Sequence, residues 1–145
     1  IREAAEQEEH LNYHGRMSDR WIDDVKPLDT NHLKPHLEEA PALIVVFRQA
    51  WQPDKVLGKK QNYYVQESVG IACGMLLSAL HASGLVALTH TPSPMGFLSE
   101  ILGRPAHEKA FLLIPIGFPA DHCEIPDITR KTLAEIQTLY ASGTK

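Results

Sequence analysis

Three residues near the start of the chain could together contact one small charged molecule. Glu9 and Tyr13 are four residues apart, which places them on one face of a helix, and Lys34 follows after a loop. A glutamate can pair with an ammonium group and a lysine with a carboxylate, while a tyrosine can hydrogen-bond the carboxylate and cover the bound molecule with its ring. The same residues also fit a solvated acidic helix, because other glutamates crowd this stretch.

A second candidate site lies in the turn formed by Thr89, His90 and Thr91. The apolar run Leu85–Leu88 precedes it and is predicted to be an interior strand, so the turn falls where a strand end can open into a pocket. The threonine hydroxyls and nearby backbone N–H groups could donate hydrogen bonds to a flat heterocycle. Threonines before a proline turn are also common turn residues, so this pattern alone is weak evidence of function.

The elements that must position these residues begin with two helices and a strand. The stretch from Ile1 to about Met17 is predicted to be helical, and Ser18 is predicted to cap a second short helix that ends at Pro27. The continuous apolar run Ala42–Gln49 predicts a strand buried on both faces. The segment Trp51–Gln61 holds proline, glycine and three lysines, which predicts a surface loop.

The clearest helix prediction covers residues 62–83, where apolar residues recur at helical spacing. The helix is apolar nearly all round, so it is predicted to be deeply buried. Several small residues, such as Gly70 and Gly74, would let another helix or a cofactor approach closely. Tight packing within one subunit and a contact with a second subunit fit this pattern equally well. Gly84 is predicted to end the helix.

The remainder of the chain predicts one further helix start, one strand and a final helix. Ser93 is a candidate N-cap for a helix that begins near Pro94, and Ala110–Gly117 is the last clear strand. Residues 103–109 predict a structural turn that joins this helix to this strand. Three apolar residues predict a C-terminal helix: Leu133, Ile136 and Leu139.

Composition and charge exclude several functional classes. The chain has 145 residues, 43% hydrophobic and 22% charged, as expected of one globular domain, and its net charge of −4 disfavours nucleic-acid binding. No apolar stretch approaches the roughly 18 residues that would span a bilayer, and no signal peptide is visible. Two cysteines, Cys73 and Cys123, predict a reduced, cytoplasmic setting. The histidines form no HExxH motif, so a metal site is disfavoured.

Several sequence blocks match one known family in consistent order along almost the whole chain. The blocks are EEHLNYHGRM, HLKPHLEEAPALIVVF, NYYVQESVGIACGMLLSALHASGLVALTHTP, ILGRPAHEK, FLLIPIGFPA and IPDITRK. On these motifs the chain resembles the flavin-dependent nitroreductase superfamily, and most closely its iodotyrosine deiodinase branch.

This resemblance implies an α+β, nitroreductase-like fold that uses FMN. It divides the single domain into lid helices at about residues 1–40, core strands and a dimer helix at about 41–119, and a C-terminal tail at 120–145. Members of this branch carry an upstream portion with an arginine- and serine-rich flavin-phosphate motif and the first core strand, which this sequence lacks. The chain is therefore expected to be a fragment, a processed product or a shortened relative.

The resemblance also assigns roles to the substrate-binding candidates. It implies that Glu9, Tyr13 and Lys34 form a lid that grips the zwitterion of a halogenated tyrosine.

For the flavin, the resemblance implies that Thr89, His90 and Thr91 form the cofactor-contacting turn. The Thr89 hydroxyl is expected near flavin N5, as a catalytic group that favours one-electron steps. Arg130 matches an arginine that reaches the flavin phosphate, a role that suits the planar guanidinium fork.

The implied function is FMN-dependent reductive dehalogenation of halotyrosines by a homodimer with FMN at the subunit interface. Two alternatives stay open. One is a general nitroreductase that acts on nitroaromatics or quinones, and the other is a truncated, non-catalytic module that only dimerises or binds a partner.

Overall fold

The first third of the chain is helical in the computed structural model, which describes residues 1–140. Its elements are α1 (Arg2–Leu11), a π-helical turn (Asn12–Arg16), α2 (Asp19–Val25), a 3-10 turn (Lys26–Leu28) and α3 (His36–Glu39). Ser18 caps α2, as predicted, because its hydroxyl oxygen accepts a hydrogen bond from the Trp21 N–H at 3.3 Å.

Two antiparallel sheets follow, built from five strands. The strands are β1 (Ala42–Gln49), β2 (Trp51–Asp54), β3 (Gly58–Gln61), β4 (Val86–Ala87) and β5 (Glu108–Gly117). In the larger sheet β5 lies between β1 and β4, with Ala42 opposite Ile116 and Gln49 opposite Glu108. β2 and β3 form a separate hairpin.

β1 has the predicted bounds, but the prediction that both of its faces are buried is wrong for the described residues. Among them β1 pairs only with β5, and its side chains are half-buried or exposed. β5 begins two residues earlier than predicted, and its central position buries Leu113 and Ile114 fully. Position in the sheet, not the apolar run itself, decides which strand is covered.

The segment predicted to be a loop, Trp51–Gln61, is instead the β2–β3 hairpin. Its turn is stabilised by Asp54, whose carboxylate oxygen accepts the N–H groups of Val56 and Leu57, each at 2.8 Å. Gly58 then adopts a φ of 73°, which a residue with a side chain rarely adopts. The polar and glycine residues that suggested a loop over the whole segment are therefore typical only of this turn.

The long helix α4 spans Val65–Ala82, within the predicted range, but the prediction that it is deeply buried is wrong for this chain. Cys73 is its one buried residue, whereas Ile71 and Met75 are 67% and 70% exposed. Gly84 ends the helix as predicted, with a φ of 77° and a hydrogen bond from its N–H to the His81 carbonyl oxygen at 3.0 Å. The described residues therefore leave much of an apolar helix uncovered.

Two predicted features between α4 and β5 differ from the structure. β4 is a two-residue, exposed strand where an interior strand over Leu85–Leu88 was predicted. The next helix, α5, spans Gly96–Ile101 with Met95 at its N-cap, so Ser93 does not cap it. The turn that joins α5 to β5 is present, and in it Arg104 Nε lies 2.7 Å from a Glu108 carboxylate oxygen.

The C-terminal helix is shorter than the apolar spacing predicted. α6 spans Leu133–Ile136, and Thr132 and Glu135 form a capping box at its start. Leu139 lies beyond the helix, and residues 141–145 of the predicted tail lie outside the described residues.

The hydrophobic core joins the helical first third to the larger sheet. Ala5 of α1, Leu37 of α3 and Leu113 of β5 form one buried cluster. This cluster packs α1 and α3 against the central strand. Within residues 1–140, no helix combines the length and the apolar character that crossing a membrane requires.

Candidate active site

The charged groups of Lys34 and Glu9 lie side by side in the protein interior. Lys34 is 3% exposed and Glu9 is 9% exposed, and Lys34 Nζ lies 3.6 Å from Glu9 Oε2. The ammonium also donates to Thr30 Oγ1 at 3.2 Å and to the Asn31 carbonyl oxygen. Burying a charge is costly unless it is paired and hydrogen-bonded, and both conditions hold for Lys34.

The third predicted lid residue, Tyr13, lies against the same ammonium group. Lys34 Nζ is 5.6 Å from the centre of the Tyr13 ring, within the range of a cation–π contact. Tyr13 belongs to the π-helical turn after α1, and this turn is anchored because Asn12 Nδ2 donates to the Ser93 carbonyl oxygen at 2.9 Å. The structure thus brings Glu9, Tyr13 and Lys34 together.

Glu6 is a further residue at this cluster, and sequence reasoning gave it no role in the site. Its Oε1 accepts the backbone N–H of Lys34 at 2.7 Å and Arg2 Nε at 2.9 Å. The hydrogen bond from the Lys34 N–H, and then the one from Arg2, lower the pKa of Glu6 below its ordinary value. The spacing of Arg2 and Glu6, four residues apart on α1, was the one sequence signal for this role.

A cavity of about 650 Å³ separates the Lys34 segment from the threonine turn. One wall is formed by residues between Leu28 and His36, and the other by Leu88, Thr89 and His90. The C-terminal tail contributes Pro126. Lys34 and Thr89, predicted from separate parts of the sequence, therefore line one cavity.

His90 and His36 meet where the two walls of the cavity join. His90 is fixed to β5 by two backbone hydrogen bonds with Leu113, at 2.9 and 3.0 Å. Its ring meets the His36 ring edge to face, with centres 5.6 Å apart, and both Nε2 atoms are buried without a hydrogen-bond partner in the described residues. Burial lowers the pKa of His90 to about 4, with smaller effects from Lys34 and His36, so its ring is neutral at pH 7.

Two of the predicted cofactor residues lie outside this cavity wall. Thr91 is exposed and is not among the residues that line the cavity. Arg130 is exposed on the tail, and its guanidinium makes no hydrogen bond or ion pair within residues 1–140. Thr89 and His90 therefore line the same cavity as Lys34. Thr91 and Arg130 are not among the residues that line it.

Comparison with known proteins gives a consistent result along the chain. No family model matches. A protein named iodotyrosine deiodinase from Haliscomenobacter hydrossis is 56% identical over 142 residues, which covers 97% of this chain and 63% of that protein. Proteins of the same name from Drosophila melanogaster and Homo sapiens are 46% and 47% identical and cover 97% and 94% of this chain, but 50% and 47% of their own lengths.

The chain is a homologue of the iodotyrosine deiodinases.

Solved structures support the same relationship at the level of the fold. A crystal structure of oxidized iodotyrosine deiodinase bound to FMN and 3-iodo-L-tyrosine superimposes with a TM-score of 0.77 at 26% identity, over 100% of this chain and 69% of that one. An oxidoreductase containing FMN superimposes with a TM-score of 0.63 at 21% identity, over 88% of this chain and 68% of that one. The predicted α+β, nitroreductase-like fold is confirmed.

The homology covers only part of the relatives. The chain spans about half to three fifths of the curated deiodinases that it matches. The roles of the seven predicted site residues stay predictions, because proximity within the fold does not test them. Sequence reasoning missed Glu6 and His36, whose neighbours are distant in the chain.

Proposed function

We propose that this chain supplies the substrate-binding lid and the cofactor turn of an FMN-dependent oxidoreductase that removes halogen from halotyrosines by reduction. The observation that carries the proposal is the buried pair of Glu9 and Lys34 with the Tyr13 ring against it. Lys34 and Thr89 line the same cavity. A buried acid–base pair of this kind is weak evidence of stability, because removing two charges from water is costly. Recognition of a molecule with two opposite charges explains it better.

The lid cluster suits a zwitterion because its charges already form a pair. An amino acid that enters can offer its ammonium to Glu9 and its carboxylate to Lys34, so the 3.6 Å ion pair is exchanged for two new ones and no charge is left unpaired. The Tyr13 ring then lies beside the bound molecule and helps to exclude water. This exchange favours amino-acid substrates over simple aromatic ones.

The polar groups of the predicted cofactor residues suit FMN. The Thr89 and Thr91 hydroxyls and the Arg130 guanidinium lie on exposed residues and form no side-chain hydrogen bond within residues 1–140, so they can serve a heterocycle and a phosphate. Thr89 would hold the ring at its N5 edge, and His90 would fix the turn to β5. FMN in its reduced form would supply the two electrons that, with one proton, convert a carbon–halogen bond into carbon–hydrogen and halide.

We also propose that the protein acts as a homodimer through α4. The large exposed side chains of Ile71 and Met75 recur one helical turn apart on a helix that also carries small residues such as Gly70 and Gly74. An apolar helix face of this kind is typical of a subunit interface. The cytoplasmic setting predicted from the cysteines stays a prediction.

The first test is the visible absorption of the purified chain with FMN, followed by titration with iodotyrosine. We expect a bound-flavin spectrum that iodotyrosine perturbs. A protein that never takes up FMN would contradict an enzymatic role for this chain and favour the dimerising module.

A second experiment separates the deiodinase from a general nitroreductase. Lys34→Ala is expected to raise KM for iodotyrosine at least about tenfold, because a charge-assisted contact is lost, and to leave reduction of a nitroaromatic within about twofold. Lys26→Ala, at an exposed lysine, is the matched control. Equal losses for both substrates would favour the nitroreductase.

A further inference from the structure

We propose that Glu6 is a positioning residue for the substrate lid, which holds the main chain of Lys34 so that its ammonium faces Glu9. The inference rests on the proposed function, because it assigns Lys34 to substrate binding. Glu6 itself is not proposed to touch the substrate.

The geometry around Lys34 shows how the residue is held. Its N–H donates to Glu6 Oε1 at 2.7 Å, and its carbonyl oxygen accepts the Leu37 N–H at 3.1 Å. At the other end of the side chain, the ammonium donates to Thr30 and Asn31 and lies beside Glu9. Of these partners Glu6 and Glu9 belong to α1, so they fix Lys34 against that helix at two points.

The position of Glu6 is set in turn by Arg2. Arg2 Nε lies 2.9 Å from Glu6 Oε1, and its Nη1 lies 2.8 Å from Glu38 Oε2. Arg2 therefore connects α1 to α3. Lys34 lies between these two helices in the sequence. Both hydrogen bonds that Glu6 accepts are charge-assisted, because its carboxylate is ionised at neutral pH, and they lower its pKa further.

Glu6 and Glu9 thus have separate tasks on one helix. Glu9 faces the ammonium, where a substrate charge can replace it, whereas Glu6 faces the main chain, which the substrate does not displace. If the Lys34 main chain shifted by about 1 Å, catalytic efficiency would fall substantially, because productive binding depends on precise placement.

The test compares Glu6→Ala and Glu6→Gln in the chain loaded with FMN. Glutamine keeps an oxygen that can accept the Lys34 N–H, so it separates the hydrogen bond from the charge. Glu3→Ala is the matched control, because Glu3 is an exposed acid on the same helix and its side chain makes no hydrogen bond within residues 1–140. The first readout is hydrogen exchange of the Lys34 amide, and the second is KM and kcat for iodotyrosine and for an iodophenol that lacks the amino-acid group.

We expect Glu6→Ala to speed exchange of the Lys34 amide at least about tenfold and to raise KM for iodotyrosine about tenfold, with kcat for the iodophenol unchanged. Glu6→Gln should restore slow exchange and bring KM within about threefold of the wild-type value. Glu3→Ala should change neither readout.

Two results would overturn the inference. One is an unchanged exchange rate in Glu6→Ala, which would show that Glu6 does not hold the amide. The other is faster exchange with an unchanged KM, which would show that the hydrogen bond is only structural. A wild-type chain that binds FMN but does not turn over iodotyrosine would instead refute the proposed function, while the exchange data would still decide whether Glu6 holds Lys34.

Discussion

Two regions of this molecule reverse the usual distribution of polar and apolar residues. At the proposed lid, the charged side chains of Lys34 and Glu9 are buried, with 3% and 9% exposure. On α4, the apolar side chains of Ile71 and Met75 are 67% and 70% exposed. Folding alone rewards neither arrangement, since buried charges and exposed apolar area both cost free energy.

The two regions differ in whether this chain itself provides the partners that their side chains need. The charges of Lys34 and Glu9 have partners in this chain, and a charged ligand could replace those partners. The apolar side chains of Ile71 and Met75 on α4 are not covered by any of the described residues, so only a second molecule or further chain could bury them. The first region is typical of a binding site, and the second of a subunit interface.

The largest effect is expected when the buried pair is broken. Lys34→Ala leaves the Glu9 carboxylate buried and unpaired, which should lower the free energy of unfolding by about 3 kcal/mol. Lys26→Ala, which removes an exposed ion pair with Asp23, should cost less than about 0.5 kcal/mol. Urea unfolding of both variants checks the contrast, and equal losses would mean that the lid pair is not effectively buried.

A charge on the α4 face should separate the proposed subunits. Ile71→Glu combined with Met75→Glu is expected to weaken dimerisation by about 2 kcal/mol or more, or about 30-fold, because it places carboxylates in an apolar contact. Sedimentation at several concentrations measures this change. Val56→Glu, at a side chain 89% exposed on the β2–β3 hairpin, is the control. A wild-type chain that stays monomeric would rule out this interface.

The histidine pair between the cavity walls should make stability depend on pH. The pKa of His90 is about 4 in the folded chain against 6.5 ordinarily, so the unfolded chain binds the proton first as pH falls. Stability is therefore expected to decline from about pH 6.5 to about pH 4 and to lose no more from His90 below that. The neighbours Lys34 and His36 act in the same direction on His90.

His90→Phe should flatten this part of the stability profile, because phenylalanine keeps a ring against His36 but binds no proton. Thermal unfolding across this range, compared with His122→Phe at an exposed loop residue, provides the measurement. An unchanged slope would assign the decline to other groups.

The smallest effect is expected at a fully solvated ion pair, which sets the baseline for the lid. Arg20 Nε and Asp24 Oδ2 are 4.0 Å apart, with side chains 92% and 70% exposed. Asp24→Asn should change the free energy of unfolding by less than about 0.5 kcal/mol, because solvent screens such pairs. Chemical denaturation with and without added salt tests this. If Asp24→Asn lowered the free energy of unfolding as much as Lys34→Ala, burial would not explain the larger cost expected at Lys34.

Features that depend on neighbours along the chain were predictable from the sequence. The Ser18 cap, the β1 bounds and the helix end at Gly84 are all confirmed, because capping, apolar runs and positive φ angles are local requirements. The order of Glu9, Tyr13 and Lys34 was recognised through the resemblance. The Trp51–Gln61 prediction failed because two short strands paired across the Asp54 turn.

The sequence by itself determined the Ser18 cap, the bounds of β1, the helix end at Gly84, the resemblance to the deiodinases and the residue types available to a site. Only the tertiary structure decided that Lys34 is buried beside Glu9, that Glu6 holds its main chain, and that α4 stays uncovered within residues 1–140. The physical reason is that backbone preferences act between adjacent residues. Burial and hydrogen-bond partners instead depend on which distant segments pack together.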